Sequence, residues 1–155
     1  MAGRWRARRQ WQEGTVTATA AQAVVARWGL SSGDVVGEMG YDDDVDHDLR
    51  DAIEELTGTE LVEEGAHEVV DAMVVWWRDD DGDVTDALVD ALTLLADDGV
   101  IQLLTPKTGR DGYIEPADIS EAARTAGLSQ SAGAGSTDEW MISRLARAGA
   151  PRSKR

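Results

Sequence analysis

The apolar positions of the chain fall into short blocks of two kinds. One kind is continuous and rich in β-branched or aromatic residues: "GDVVGEMG" at 33–40, "DAMVVWW" at 71–77 and "VIQLL" at 100–104. Runs of this length and composition read as strands, and the near-unbroken apolar run at 71–77 reads as one covered on both faces. "TELV" at 59–62 predicts a further short strand. The second kind repeats with helical period. Val45, Leu49, Ala52, Ile53 and Leu56 share one face between acidic residues and Gly58, and Val84, Leu88, Ala91, Leu92 and Leu95 share another, with Gly99 expected as the C-cap. "PADISEAARTAG" at 116–127 opens with Pro at its first turn and ends on Gly, the usual asymmetry of a helix. A short helix within 15–30 carries Val24, Val25 and Trp28, and "LSQSAGA" with "WMISRLA" predicts a closing antiparallel pair. Strands separated by helices of this length imply βαβ units, hence an α/β fold with a doubly wound, mostly parallel sheet.

The chain has 155 residues, enough for one domain with a real core, placed by the pattern at 15–146. The flanks, 1–14 ("MAGRWRARRQWQEG") and 147–155 ("RAGAPRSKR" from 147), lack the pattern and read as disordered basic tails. There is no cysteine, which removes disulfides, thiol catalysis and thiolate metal sites together. No apolar run approaches the ~20 residues of a membrane span, and no signal-like stretch follows the basic start, so the cytoplasm is the expected compartment.

Charge sharpens the picture. The net value of −15 is concentrated: residues 31–123 hold 27 acidic and four basic side chains. Such a surface repels nucleic acid and anionic membranes, and favours basic surfaces, cations or neutral ligands. Two acidic runs stand out, "GYDDDVDHD" at 40–48 and "RDDDGD" at 78–83. Neither has EF-hand spacing, which needs Gly at position 6 and Glu at position 12. With Gly82 at position 6, position 12 is Leu88; with Asp42 at position 1, positions 6 and 12 are His47 and Ile53. No metal site is therefore expected. Each run precedes a helix, where aspartates cap free N–H groups and complement the helix dipole. The same carboxylates occupy the space a phosphate would need, which argues against NAD, FAD or ATP held at that turn.

The four basic residues of the acidic segment are Arg50, Arg78, Lys107 and Arg110. Arg50 has Asp46 and Glu54 four residues away on its own helix, so local pairing is expected. Arg78, Lys107 and Arg110 follow strand ends. Parallel strands end along one edge, where open α/β folds bind ligands, so Lys107 and Arg110 are expected to face Asp42–Asp44 or Asp79–Asp81. Two outcomes fit: internal neutralisation that pins the loop "PKTGRDG", or a mixed-charge pocket for a zwitterion or a peptide. Trp76 and Trp77 are expected on opposite faces as core residues. His47 and His67 have no identifiable catalytic partner, and no nucleophile–base–orienter set is visible.

Two resemblances add to this reading. "VVGEMG", followed by Glu63 at the end of the next strand, is similar to class I methyltransferases that use S-adenosylmethionine. The resemblance implies that Glu38 and Gly40 receive the methionine part and that Glu63 holds the ribose hydroxyls. The second and third glycines of that motif are absent, Asp42 standing in place of one, and a strand–helix unit between Val62 and Asp71 is missing. The topology is thus a reduced methyltransferase-like one. Over roughly 29–145, the runs "GYDDDVDHDLRDAIE", "WWRDDDGDVTDALVDAL" and "LADDGVIQLLTPKTGRDGYIEPADISEAARTAGLSQ" resemble the actinobacterial domain of unknown function family 3052, which implies a compact Rossmann-like domain with no established activity. That family ends in a pattern like D-W-x-G-x-R-L, and "EWMISRL" departs from it at Glu139 and at Met141 to Ser143.

The functional expectation is a non-enzymatic module that binds a protein partner or regulates one, without a cofactor. The alternative is an S-adenosylmethionine-binding protein or small methyltransferase. The candidate ligand-binding residues are Glu38, Gly40, Asp42, Glu63, Arg78, Asp79, Lys107 and Arg110.

Overall fold

The computed structural model describes residues 19–131 and 135–148. The expected tail 1–14 lies outside the described residues, as do 149–155 at the other end. Ten elements follow one another: α1 (Ala20–Ala26), β1 (Val36–Met39), α2 (His47–Thr57), β2 (Val70–Trp76), a 3-10 turn (Asp79–Asp81), α3 (Val84–Leu94), β3 (Leu95–Pro106), α4 (Pro116–Thr125), β4 (Leu128–Ser131) and β5 (Trp140–Arg147).

The helices begin where their side chains supply acceptors. Thr19 and Gln22 form a reciprocal capping box on α1. Asp46 accepts from the Leu49 N–H at 3.0 Å to start α2, and Asp83 accepts from the Thr85 N–H at 2.7 Å to start α3. Gly58 ends α2 at φ 77°, a left-handed conformation that suits glycine.

The five strands lie in the order β1-β2-β3-β5-β4. β1 pairs parallel with β2 and β2 with β3, while β5 is antiparallel to both β3 and β4. β4 therefore runs in the same sense as β1–β3, and the sheet is mixed, with β5 alone opposed. The sheet is an interlayer. Val25, Trp28, Leu49, Ile53, Val74 and Trp76 pack on the face covered by α1 and α2. Met73, Val75, Leu88, Ile101, Leu103 and Ile119 pack on the face covered by α3 and α4. Trp76 and the half-buried Trp77 divide between these two faces, as their adjacent positions require. Among the described residues no helix is long and apolar enough to cross a membrane.

The course of the elements differs from the sequence reading in three places. "TELV" forms no strand of its own; Val62 makes a single parallel bridge to Gly37, outside β1. Only this residue represents the second strand, and the chain then returns directly to β2. Gly99 is not a helix cap. α3 stops at Leu94, and Gly99 lies within β3, in the bulge between Leu95 and Val100 opposite Asp71. A Cβ there would stand 2.6 Å from Leu95 and 2.8 Å from the Asp71 carbonyl, so close packing rather than capping requires the glycine. β5 runs one residue past the expected domain end. The Arg147 guanidinium donates to the carbonyls of Leu92, Leu95, Ala96 and Asp97, at the junction where α3 gives way to β3.

Candidate functional site: the carboxyl end of the sheet

β1 and β2 end side by side, and the loops that leave them fold over that edge. Gly40 makes the crossing possible. Its φ is 78°, and a Cβ would lie 2.0 Å from the Trp76 carbonyl oxygen, so no other residue fits without moving the backbone. The loop 40–46 thereby passes directly over the end of β2.

Arg78 fills the space below the loop. It is buried, and its guanidinium donates to Asp44, to Asp81 Oδ2 at 3.0 Å, to the Gly40 carbonyl at 2.7 Å and to the Trp76 carbonyl at 3.3 Å. Both acidic runs are thus tied to one cation. Gly112 packs against its stem, where a Cβ would stand 2.8 Å from Arg78 Cβ. The hydrogen bond from Arg78 holds the Asp44 carboxyl below the usual range, more than partial burial raises it.

Glu38 is the second buried charge. Oε2 accepts from Arg50 Nε at 2.7 Å and from Trp76 Nε1 at 2.9 Å, and Oε1 accepts from Arg50 at 2.9 Å. Arg50 therefore crosses to β1 rather than pairing along its own helix, which corrects the expected Asp46 and Glu54 partners. The buried carboxylate offers the tighter, bidentate geometry. Tyr41 lies over the Arg50 guanidinium at 4.8 Å. Glu38, Tyr41, Arg50, Glu63 and Glu64 enclose a cleft of about 410 Å³.

The expected residues thus divide. Glu38, Gly40, Glu63 and Arg78 come together at the edge. Asp42 is exposed and accepts from the Asp43 N–H at 2.7 Å. Asp79 is tied to the loop 107–113 by its N–H, which donates to the Gly112 carbonyl at 2.9 Å. Arg110 makes no ion pair with the aspartates among the described residues, although its charge also helps hold Asp44 down: it donates to the Glu139 carbonyl at 2.9 Å, makes an ion pair with the Glu139 carboxylate at 3.6 Å and stands over the Trp140 ring at 5.7 Å. Lys107 lines a separate depression of about 270 Å³ with Asp46, Asp48 and Asp138. The loop is held over the edge as expected, but by its backbone and by Glu139, because Arg78 already occupies the position nearest both acidic runs.

Two residues at the site were not singled out from sequence. Glu64, not Glu63, accepts the Gly40 N–H, at 3.1 Å. Trp140 packs edge-on to Trp76 with ring centroids 5.0 Å apart and receives the Arg78 guanidinium at 5.3 Å. The signal was present: a Trp that follows a polar run and opens a strand. Among the described residues, no three His, Cys, Asp or Glu side chains are arranged to hold a metal ion.

Several solved structures that share this fold are methyltransferases. The mitomycin 7-O-methyltransferase MmcR superposes with a TM-score of 0.57 at 12% identity over 83% of this chain, which spans about half (53%) of that enzyme's chain. The magnesium protoporphyrin IX methyltransferase of Synechocystis PCC 6803, with bound SAH, gives 0.51 at 14% identity, covering 92% of this chain and 93% of that one. An S-adenosylmethionine-dependent methyltransferase from Aquifex aeolicus gives 0.51 at 13%, covering 81% and 88%. At these identities the likeness shows the Rossmann-like fold. In sequence, uncharacterised proteins of Mycobacterium tuberculosis (strain H37Rv) and Mycobacterium bovis are each 43% identical over 141 residues, covering 91% of this chain and 89% of theirs. With residues 25–149 matched, the chain belongs to the family described as Protein of unknown function (DUF3052).

Proposed function

We propose that the chain is a non-enzymatic interaction or regulatory module built on a methyltransferase-like scaffold. One observation carries the reading: the crevice between the ends of β1 and β2 is closed by the protein's own side chains. Arg78 bridges the loop after β1 to the turn after β2 through Asp44 and Asp81, and takes the Gly40 carbonyl as well. Glu38 is taken up by Arg50 and Trp76. Glu38 and Gly40, to which the resemblance assigns the methionine part, already have partners within the chain, while Glu63 stays exposed at the cleft beside them. Breaking them leaves buried charge uncompensated.

A second reading, S-adenosylmethionine binding, has its own support in the open cleft beside Glu38, Tyr41 and Glu63 and in the fold shared with methyltransferases. Calorimetric titration with S-adenosylmethionine and S-adenosylhomocysteine separates the two. The interaction reading expects no saturable heat tighter than about 1 mM, near −4 kcal/mol of binding free energy. A one-to-one isotherm in the micromolar range would establish a cofactor site and overturn it.

A further inference from the structure

The face of the sheet that carries α3 and α4 is incompletely covered. α2 follows β1 but lies on the opposite face. Among the described residues only α3 flanks β1 here, and a cleft of about 290 Å³ opens between β1, the 62–70 connection and the last turn of α3. Its floor is apolar: Met39, Val62, Met73 and Leu94. Gly37 keeps it open, since a Cβ there would press on the Met73 sulfur at 3.0 Å. Val69, between two lining residues, is 67% exposed, the highest value among the exposed large apolar side chains. The rim is acidic, with Glu63, Glu64, Glu68 and Asp90 exposed, and among the described residues no Lys or Arg lines the cleft.

We infer that this cleft seats the apolar stripe of an amphipathic helix from a partner protein, with Lys or Arg on its flanks. The inference rests on reading the domain as an interaction module and gives that module its surface. An acidic rim around an apolar floor selects basic flanks around apolar anchors. The cleft holds a few side chains, not a whole helix, so the helix lies across it beside α3, in the position a neighbouring helix takes in a fully covered sheet. An added strand does not fit. The outward backbone groups of β1 are already used: the Val36 carbonyl and the Glu38 N–H by Val62, and the Gly40 N–H by Glu64. Helix-in-groove recognition remains.

The test uses the full chain and a synthetic helical peptide of about 18 residues, with Leu at i, i+3, i+4 and i+7 and Lys on both flanks. Saturable binding is expected by calorimetry, with amide NMR shifts centred on 62–70 and 89–94. A peptide of the same design with Glu flanks should not bind. Glu68→Lys with Asp90→Lys should weaken binding by about tenfold or more. Asp118→Lys with Glu121→Lys changes the net charge equally on α4, which packs beside β4 at the opposite edge of the sheet, and should leave affinity within about twofold. The neutral Thr93→Trp, which fills the cleft from α3, should also weaken binding. Equal weakening by both charge pairs, shifts mapping elsewhere, or no binding would overturn the assignment. So would a gain of about tenfold on Trp5→Ala with Trp11→Ala, because the chain's own basic segment would then be the occupant. S-adenosylmethionine is titrated into the same sample. Its binding defeats the interaction reading, whereas silence toward both probes defeats only this site.

Discussion

Two acidic regions of the molecule treat their charge in opposite ways. At the carboxyl end of the sheet, carboxylates meet guanidinium groups: Asp44 and Asp81 on the buried Arg78, Glu38 on the half-buried Arg50. Beside β1, Glu63, Glu64, Glu68 and Asp90 ring an apolar floor with no Lys or Arg among the described lining residues. The first region carries the dense sequence runs, yet Asp44 and Asp81 within them are taken up in holding two loops together through Arg78. The second is scattered through "VEEGAHE" and the face of α3, and its charge stays turned to solvent. Density of acidic residues in a sequence is therefore a poor guide to an available surface. What decides is whether a cation from another element can reach them.

Substitutions at the two regions should separate them sharply. The largest effect is expected at Gly40→Ala. The clash with the Trp76 carbonyl and the left-handed backbone together should cost about 4 kcal/mol, read from urea denaturation midpoints. Arg78→Ala leaves Asp44 and Asp81 facing each other and two carbonyls without a donor, and should cost about 3 kcal/mol by the same measurement. A loss under about 1 kcal/mol would mean that solvent already screens the crevice. Arg110→Ala removes an exposed pair with Glu139 and should change stability by about 0–1 kcal/mol. Glu68→Ala and Asp90→Ala should stay within about 0.5 kcal/mol, since their carboxylates have no cation to lose.

The pairing also has a pH signature. Asp44 is held below the ordinary carboxylate range by Arg78. A depressed folded-state value means the unfolded chain binds the proton more tightly. The stabilisation is therefore complete above the free carboxylate value of about 3.9, and is lost as pH falls through the lower folded value. Side-chain NMR of Asp44 should give a midpoint below that of a free aspartate, and Arg78→Ala should return it upward. An Asp44 midpoint unchanged by the substitution would show that Arg78 is not the cause.

The strands and helices were legible because each is set by local pattern. The apolar run at 71–77 and the helical stripe at Leu49, Ala52 and Ile53 leave little choice of element or of buried face. Glu38 and Gly40 were legible as edge residues for the same reason. The partners were not. Arg50 has acids four residues away on its own helix, and nothing in the spacing reveals that a buried carboxylate on β1 competes for it. Arg78, Lys107 and Arg110 all follow strands, but only the packed loops decide which guanidinium lies under Gly40. Gly99 reads as a cap because it follows a helical stripe, whereas its role comes from the closeness of Leu95 and Asp71. Glu63 and Glu64 are adjacent, and which of them turns toward the Gly40 N–H is a matter of one loop's course.

The strand order carries a consequence for synthesis. β5 follows β4 in sequence but lies between β3 and β4. Until it has left the ribosome, β3 has no neighbour on one side, and β4 has no place in the sheet. The carbonyls where α3 meets β3 also await Arg147, more than fifty residues downstream of Leu92. The nascent chain thus presents an apolar central strand with a bare edge for the time it takes to make about 35 further residues, some seconds at ordinary elongation rates. Exposed edges of this kind invite pairing with other chains. Insertion of β5 is the step that ends the exposure, and interrupted synthesis short of Trp140 would leave a product prone to aggregate rather than a smaller working domain.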